Sequence, residues 1–82
     1  MPLRGRLEVG FVEADVEIGF SLVDLAAEPS NSSSIARILD DADAVLTDID
    51  HRLTRLGDAD RASFHPLVAE LRRELAALRR QP

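Results

Sequence analysis

Residues 35–57, IARILDDADAVLTDIDHRLTRLG, decide the fold because their apolar positions obey one period only. Ile35, Ile38, Leu39, Ala42, Leu46, Ile49, Leu53 and Leu56 recur at intervals of three and four, which places them on a single stripe of a helix. No alternation of period two competes with that pattern, so a strand is excluded here. The spacing predicts a helix over about 33–56. Ser32, Ser33 and Ser34 are expected to supply its amino-terminal cap, and Gly57 to take a left-handed conformation just past its end.

Two polar breaks flank this helix, EPSNSSS at 28–34 and LGDAD at 56–60. Beyond the second, Phe64, Leu67, Val68, Leu71, Leu75 and Leu78 repeat the helical spacing and predict a third helix over about 60–80. Pro66 fits only the first turn of a regular helix, so the regular part is expected to start near Ser63, or near Asp60 with a local irregularity. Arg72, Arg73, Arg79 and Arg80 crowd the last turns, where cations oppose the negative end of the helix dipole. In an up-down-up arrangement they come within reach of Asp24, Glu28 and Asp40, and Arg4 and Arg6 come near Asp58 and Asp60.

The first segment, about 8–28, differs in kind. At about 100° per residue, Glu13, Glu17, Ser21, Asp24 and Glu28 fall on one narrow ridge. Val9, Val12, Val16, Phe20, Val23 and Ala27 occupy one flank of it, and Phe11, Ile18, Leu22 and Leu25 the other. The apolar arc spans about 240°, more than two neighbouring helices cover in a small bundle. Phe11, Ile18, Leu22 and Leu25 are therefore expected to form an interface, and the simplest partner is a second copy of the chain. Gly10 and Gly19 each cost about 1 kcal/mol relative to alanine inside a helix, which is easier to explain if a neighbour needs the space. Asp15 lies within the apolar arc and is expected to find an arginine or the rim of the interface.

The chain has 82 residues, enough for one small domain that buries about 60 to 65% of its unfolded surface. It has no cysteine, which excludes a disulfide framework and thiolate metal sites. Acidic residues interrupt every apolar run that could serve as a signal-peptide core, and no run approaches the roughly 20 residues that span a bilayer. A cytoplasmic setting is expected. The net charge of −5 argues against a general nucleic-acid binder, because Lys and Arg supply that affinity. All ten basic residues are arginine, a usage expected of a GC-rich bacterial genome.

The run LDDADAVLTDIDH, 39–51, gathers five aspartates and a histidine. Asp41-x-Asp43-x-Val45-Leu46-x-Asp48 resembles the first motif of haloacid dehalogenase-type phosphatases, whose paired aspartates serve as nucleophile and general acid and hold magnesium. The resemblance covers about eight residues, and Ala44-Val45 stands where that family has Gly-Thr. It implies a strand-borne motif in a large α/β domain, whereas this run continues a helical stripe. Asp48 and His51 have the i, i+3 spacing of helical di-metal bundles, with Glu13 and Glu17 as companions from another helix. His51, however, points away from the apolar stripe. The run reads mainly as the wet face of a helix, supported by an Asp48 to Arg52 pair at i, i+4 and an Arg37 to Asp41 approach.

Residues 9–56 resemble a tetratricopeptide-type helical hairpin in size but lack that family's small-residue and aromatic pattern. His65, just before Pro66, reads as a turn or cap residue. Two histidines, no cysteine and no tyrosine leave little material for acid-base or nucleophilic catalysis.

The expected architecture is an all-α, antiparallel up-down-up three-helix bundle, one domain over 1–82, dimerising into a six-helix assembly. The expected function is a non-enzymatic protein–protein interaction module with no cofactor and with neither nucleic acid nor membrane as partner. A metal- or ligand-binding bundle using Glu13, Glu17, Asp48 and His51 is the alternative.

Overall fold

The computed structural model describes residues 3–80. Three helices, α1 (Leu3–Ala27), α2 (Ile35–Leu53) and α3 (Asp58–Arg79), form a rod measuring 47 × 17 × 15 Å, and a 3-10 segment (Pro29–Ser34) joins the first two. No strand occurs among the described residues. Ion pairs mark the topology. Arg52 at the end of α2 meets Glu8 near the start of α1, and Arg79 at the end of α3 meets Asp40 and Asp43 near the start of α2. The bundle is therefore up-down-up, with α3 parallel to α1.

Each helix contributes the stripe its spacing demands. Leu39, Ala42, Leu46 and Ile49 are buried from α2 and Leu56 from the turn after it, while Phe64, Val68, Leu71 and Leu75 are buried from α3. From α1 come Val12, Val16, Val23 and Ala26. With Gly19 these α1 positions alternate steps of four and three, and all of them are small. Small side chains let α1 approach both neighbours closely, as Gly19 shows. A Cβ built there would stand 2.6 Å from Leu71 Cδ2. The neighbour that needs this space is thus α3 of the same chain. Nothing within the chain lies within 4 Å of a Cβ at Gly10, so no helix of its own bundle needs the space at that glycine.

The helix ends differ from expectation in instructive ways. Gly57 is extended, at φ −69° and ψ 165°, and acts as the N-cap of α3, its carbonyl accepting the Arg61 N–H at 3.0 Å. The left-handed cap is unnecessary because Arg61 reaches back from α3. Its Nε donates to the Leu53 carbonyl at 3.1 Å, and its terminal nitrogen donates to that of Leu56 at 2.8 Å. Those bonds satisfy carbonyls that a helix end leaves without partners. Helix α2 stops at Leu53, and the chain to Leu56 tightens through 3-10-type bonds.

The serine run does not cap α2 through a side chain; Ser34 makes no such bond, and the run forms the 3-10 segment instead. Asn31 is the residue that serves a helix end, its amide donating to the Leu25 carbonyl at 3.0 Å. Helix α3 starts at Asp58, so Pro66 lies well inside it rather than in its first turn. His65 is likewise an exposed residue within the helix.

Candidate functional site

Four large apolar residues of α1 face outward. Leu7 is 55% exposed, Phe11 50%, Ile18 49% and Leu25 47%. Phe11, Ile18 and Leu25 are seven residues apart, and Leu7 and Ala14 fit the same seam at steps of four and three. The helix thus carries two heptad-like seams: one of small residues turned inward, and one of large residues turned to solvent. Of the four interface residues that the sequence suggests, Phe11, Ile18 and Leu25 are exposed as expected. Leu22 is half-buried and packs against the core beside α2. Leu7 extends this exposed strip, and its spacing from Phe11 is the signal in the sequence that marks it.

Where this strip borders α2, Arg52 organises a charged cluster. Its Nε donates to Asp48 at 2.8 Å, an i, i+4 pair, and a terminal nitrogen donates to Glu8 at 2.9 Å. Asp15 Oδ2 lies 3.4 Å from Nε, buried and without a hydrogen bond. The guanidinium also sits 4.6 Å from the Phe11 ring centroid, a cation–π contact that supports the inner side of this exposed aromatic. Burial, reinforced by the neighbouring Asp48 carboxylate, pushes the Asp15 pKa up to about 6 against the partial pull of Arg52. Asp48 moves the opposite way, held below the usual carboxylate range by its bonds to Asp15 and Arg52.

On the other side of α1, a cleft of about 550 Å³ runs between α1 and α3. Val16, Phe20, Phe64 and Leu67 line it with Glu13, Glu17 and Ser21. Leu67 was expected in the core with the rest of its stripe, but it is 46% exposed at the lip of this cleft.

The aspartate run is distributed over the outside of α2. Asp50 pairs with Arg72, and Asp40 and Asp43 with Arg79, so α3 neutralises one flank. Asp41 and His51 are exposed, and Arg37 forms no ion pair with Asp41 among the described residues. The phosphatase-like motif therefore lies on the surface of a helix rather than after a strand. Glu13 and Glu17 line the α1–α3 cleft, whereas Asp48 belongs to the α1–α2 seam. The four residues of the metal alternative are thus not brought together, and no group of three potential ligands assembles among the described residues.

Among the described residues, the carboxyl-end arginines pair with Asp40 but not with Asp24 or Glu28. Asp58 pairs with Arg61 of its own helix rather than with Arg6. The side chain of Arg4 lies outside the described residues. No helix among the described residues is long and apolar enough to cross a membrane.

The sequence matches no protein-family model, and comparison with curated proteins and with solved structures gave no match.

Proposed function

We propose that this chain is a non-enzymatic protein–protein interaction module that pairs with a second copy of itself along the outward face of α1, giving a six-helix assembly. The observation that carries this reading is the inversion of side-chain size on α1. Val12, Val16, Gly19, Val23 and Ala26 turn inward while Leu7, Phe11, Ile18 and Leu25 stand about half exposed. A bundle that needed only its own core would place the larger side chains inside, since each fully buried one contributes about 1.5–3 kcal/mol. The strip from Leu7 to Leu25 runs about 27 Å along the helix, a length suited to another helix lying beside it. A two-fold pairing matches the strip with itself and creates one closed interface. Composition supports a cytoplasmic bacterial setting, with no cysteine and arginine as the sole strong base.

The test is solution mass by light scattering over a concentration series, on the wild type and on Ile18→Glu. Ile18 is the better choice than Leu22, whose substitution would also disturb the core. A dimer that Ile18→Glu converts into a folded monomer, judged by circular dichroism, supports the reading. A wild type that stays monomeric at all concentrations sinks the homodimer.

A further inference from the structure

We propose that the cleft between α1 and α3 is a second docking surface, built for a cationic amphipathic helix from another protein. The inference rests on the reading of the chain as an interaction module but not on its pairing with itself, because the two surfaces lie on opposite sides of α1. Phe20 of the cleft is about 180° around the helix from the Phe11, Ile18 and Leu25 strip at 100° per residue.

Charge is distributed unequally between the seams of the bundle. Between α1 and α2, Arg52 joins Glu8 and Asp15; between α2 and α3, Arg72 and Arg79 join Asp50, Asp40 and Asp43. No ion pair among the described residues crosses from α1 to α3. Arg72 and Arg79 of α3 reach toward α2, whereas Glu74 lies on the side of α1, near Asp24. Glu74 is half-buried there, its pKa raised by burial and by the nearby carboxylates of Glu70 and Asp24, and the Glu70 carboxylate is the one that Arg73 takes. On α1, Glu13 and Glu17 stand one turn apart at the cleft, neither in an ion pair among the described residues, and like charges at i, i+4 repel. Arg73 thus offsets only part of the negative charge that Glu13, Glu17, Asp24, Glu70 and Glu74 place along this apolar furrow.

The furrow itself fixes the kind of occupant. Its floor of Val16, Phe20 and Phe64 and its lip of Leu67 are apolar, and its volume of about 550 Å³ takes large side chains. It is open along its outer side, so it does not enclose a small molecule as closed pockets do. An amphipathic helix lays apolar side chains at i, i+3 and i+4 into such a furrow between helices. Lys or Arg residues flanking those anchors would meet Glu13 and Glu17, supplying the cations that the α1–α3 seam lacks.

The test is nitrogen-15 NMR titration of the full chain with a synthetic amphipathic Leu/Lys helix and with a scrambled peptide of the same composition. The amphipathic peptide is expected to shift the amide signals of Phe20, Phe64 and Leu67 saturably, and the scrambled peptide to shift them little. The double substitution Glu13→Gln/Glu17→Gln, on an exposed ridge where folding is not at risk, should weaken binding by about tenfold. Equal binding of both peptides, an unchanged affinity in the double variant, or no binding at all overturns the assignment. Shifts confined to Phe11, Ile18 and Leu25 also overturn it while leaving the outward strip of α1 as a binding surface.

Discussion

Arg52 Nε stands 3.4 Å from Asp15 Oδ2 without a hydrogen bond between them, because its single N–H is already given to Asp48. Asp15 therefore receives the attraction of the guanidinium at a distance and loses water on burial, with a second carboxylate beside it. Loss of water and a like charge nearby both disfavour the charged form of a carboxylate. This makes the α1–α2 seam sensitive to pH on the side where it borders the exposed strip.

The sign follows from proton binding. The Asp15 pKa is raised from 3.8 to about 6 in the fold, so between those values the folded chain holds a proton that the unfolded chain has lost. Its contribution is complete below pH 3.8 and is lost as pH rises through about 6. Asp48, shifted downward, titrates below that window and does not cancel the effect within it. Asp15→Asn removes the ionisable group and leaves Arg52 paired with Glu8 and Asp48. At pH 7.5 the variant is expected to be more stable than the wild type by about 1 kcal/mol, a rise in melting temperature of about 4–8 °C. At pH 4 the difference should vanish. Thermal melts across this range check it, and a gap that does not depend on pH would mean that Asp15 is not the titrating group.

The two glycines of α1 predict opposite outcomes. Gly10→Ala introduces a methyl group with nothing within 4 Å and removes backbone freedom from the unfolded chain, so it should stabilise by up to about 1 kcal/mol. Gly19→Ala drives a Cβ to 2.6 Å from Leu71, a fully buried side chain that must give way. Overpacking of this kind costs about 1–3 kcal/mol, more than the gain in helix propensity returns. Denaturant unfolding of the two variants decides the matter. A stabilised Gly19→Ala would show that α3 does not press on α1 at that position.

Much of this architecture was legible because it depends on local spacing. The stripes of α2 and α3, the narrow acidic ridge of α1 and its surplus apolar flank all follow from 3.6-residue periodicity, and Phe11, Ile18 and Leu25 stand exposed as that surplus requires. The Asp48 to Arg52 pair was visible for the same reason. What was not legible depends on contacts distant in sequence. Arg61 caps the end of α2 and so releases Gly57 from a left-handed turn, and no feature of residues 53–57 signals this. Arg52 joins residues 44 apart in sequence when it meets Glu8. The cleft beside Phe20 could not be read from either helix alone, because Leu67 looks like one more member of a core stripe until α1 is set against it.

A partner-free prediction concerns metal. Glu13 and Glu17 lie in the α1–α3 cleft, while Asp48 is already bonded to Arg52. Added zinc or manganese at micromolar concentration, or a chelator, is therefore expected to leave the melting temperature unchanged, with His51→Ala behaving as wild type. A metal-dependent rise that His51→Ala abolishes would revive a metal site, since a ligand that binds only the folded state must stabilise it.

Pro66 supplies the last prediction. It lies within α3 with no N–H to donate to the Ala62 carbonyl, and its ring crowds that same carbonyl. Both Ala62 and Pro66 face solvent, where water can serve the orphaned oxygen, while Phe64 and Val68 on the opposite side hold the helix against the core. Core packing on the inner face thus overrides the local preference for starting the helix after residue 62. Pro66→Ala restores the bond and the propensity, worth up to about 3 kcal/mol, less about 0.4–1 kcal/mol for the added freedom of the unfolded chain. A net gain of about 2 kcal/mol should raise the melting temperature by roughly 10 °C. If the temperature falls instead, Pro66 itself is needed to seat Phe64 in the core. The cleft that Phe64 lines should then change with it, which the peptide titration on the same variant would register.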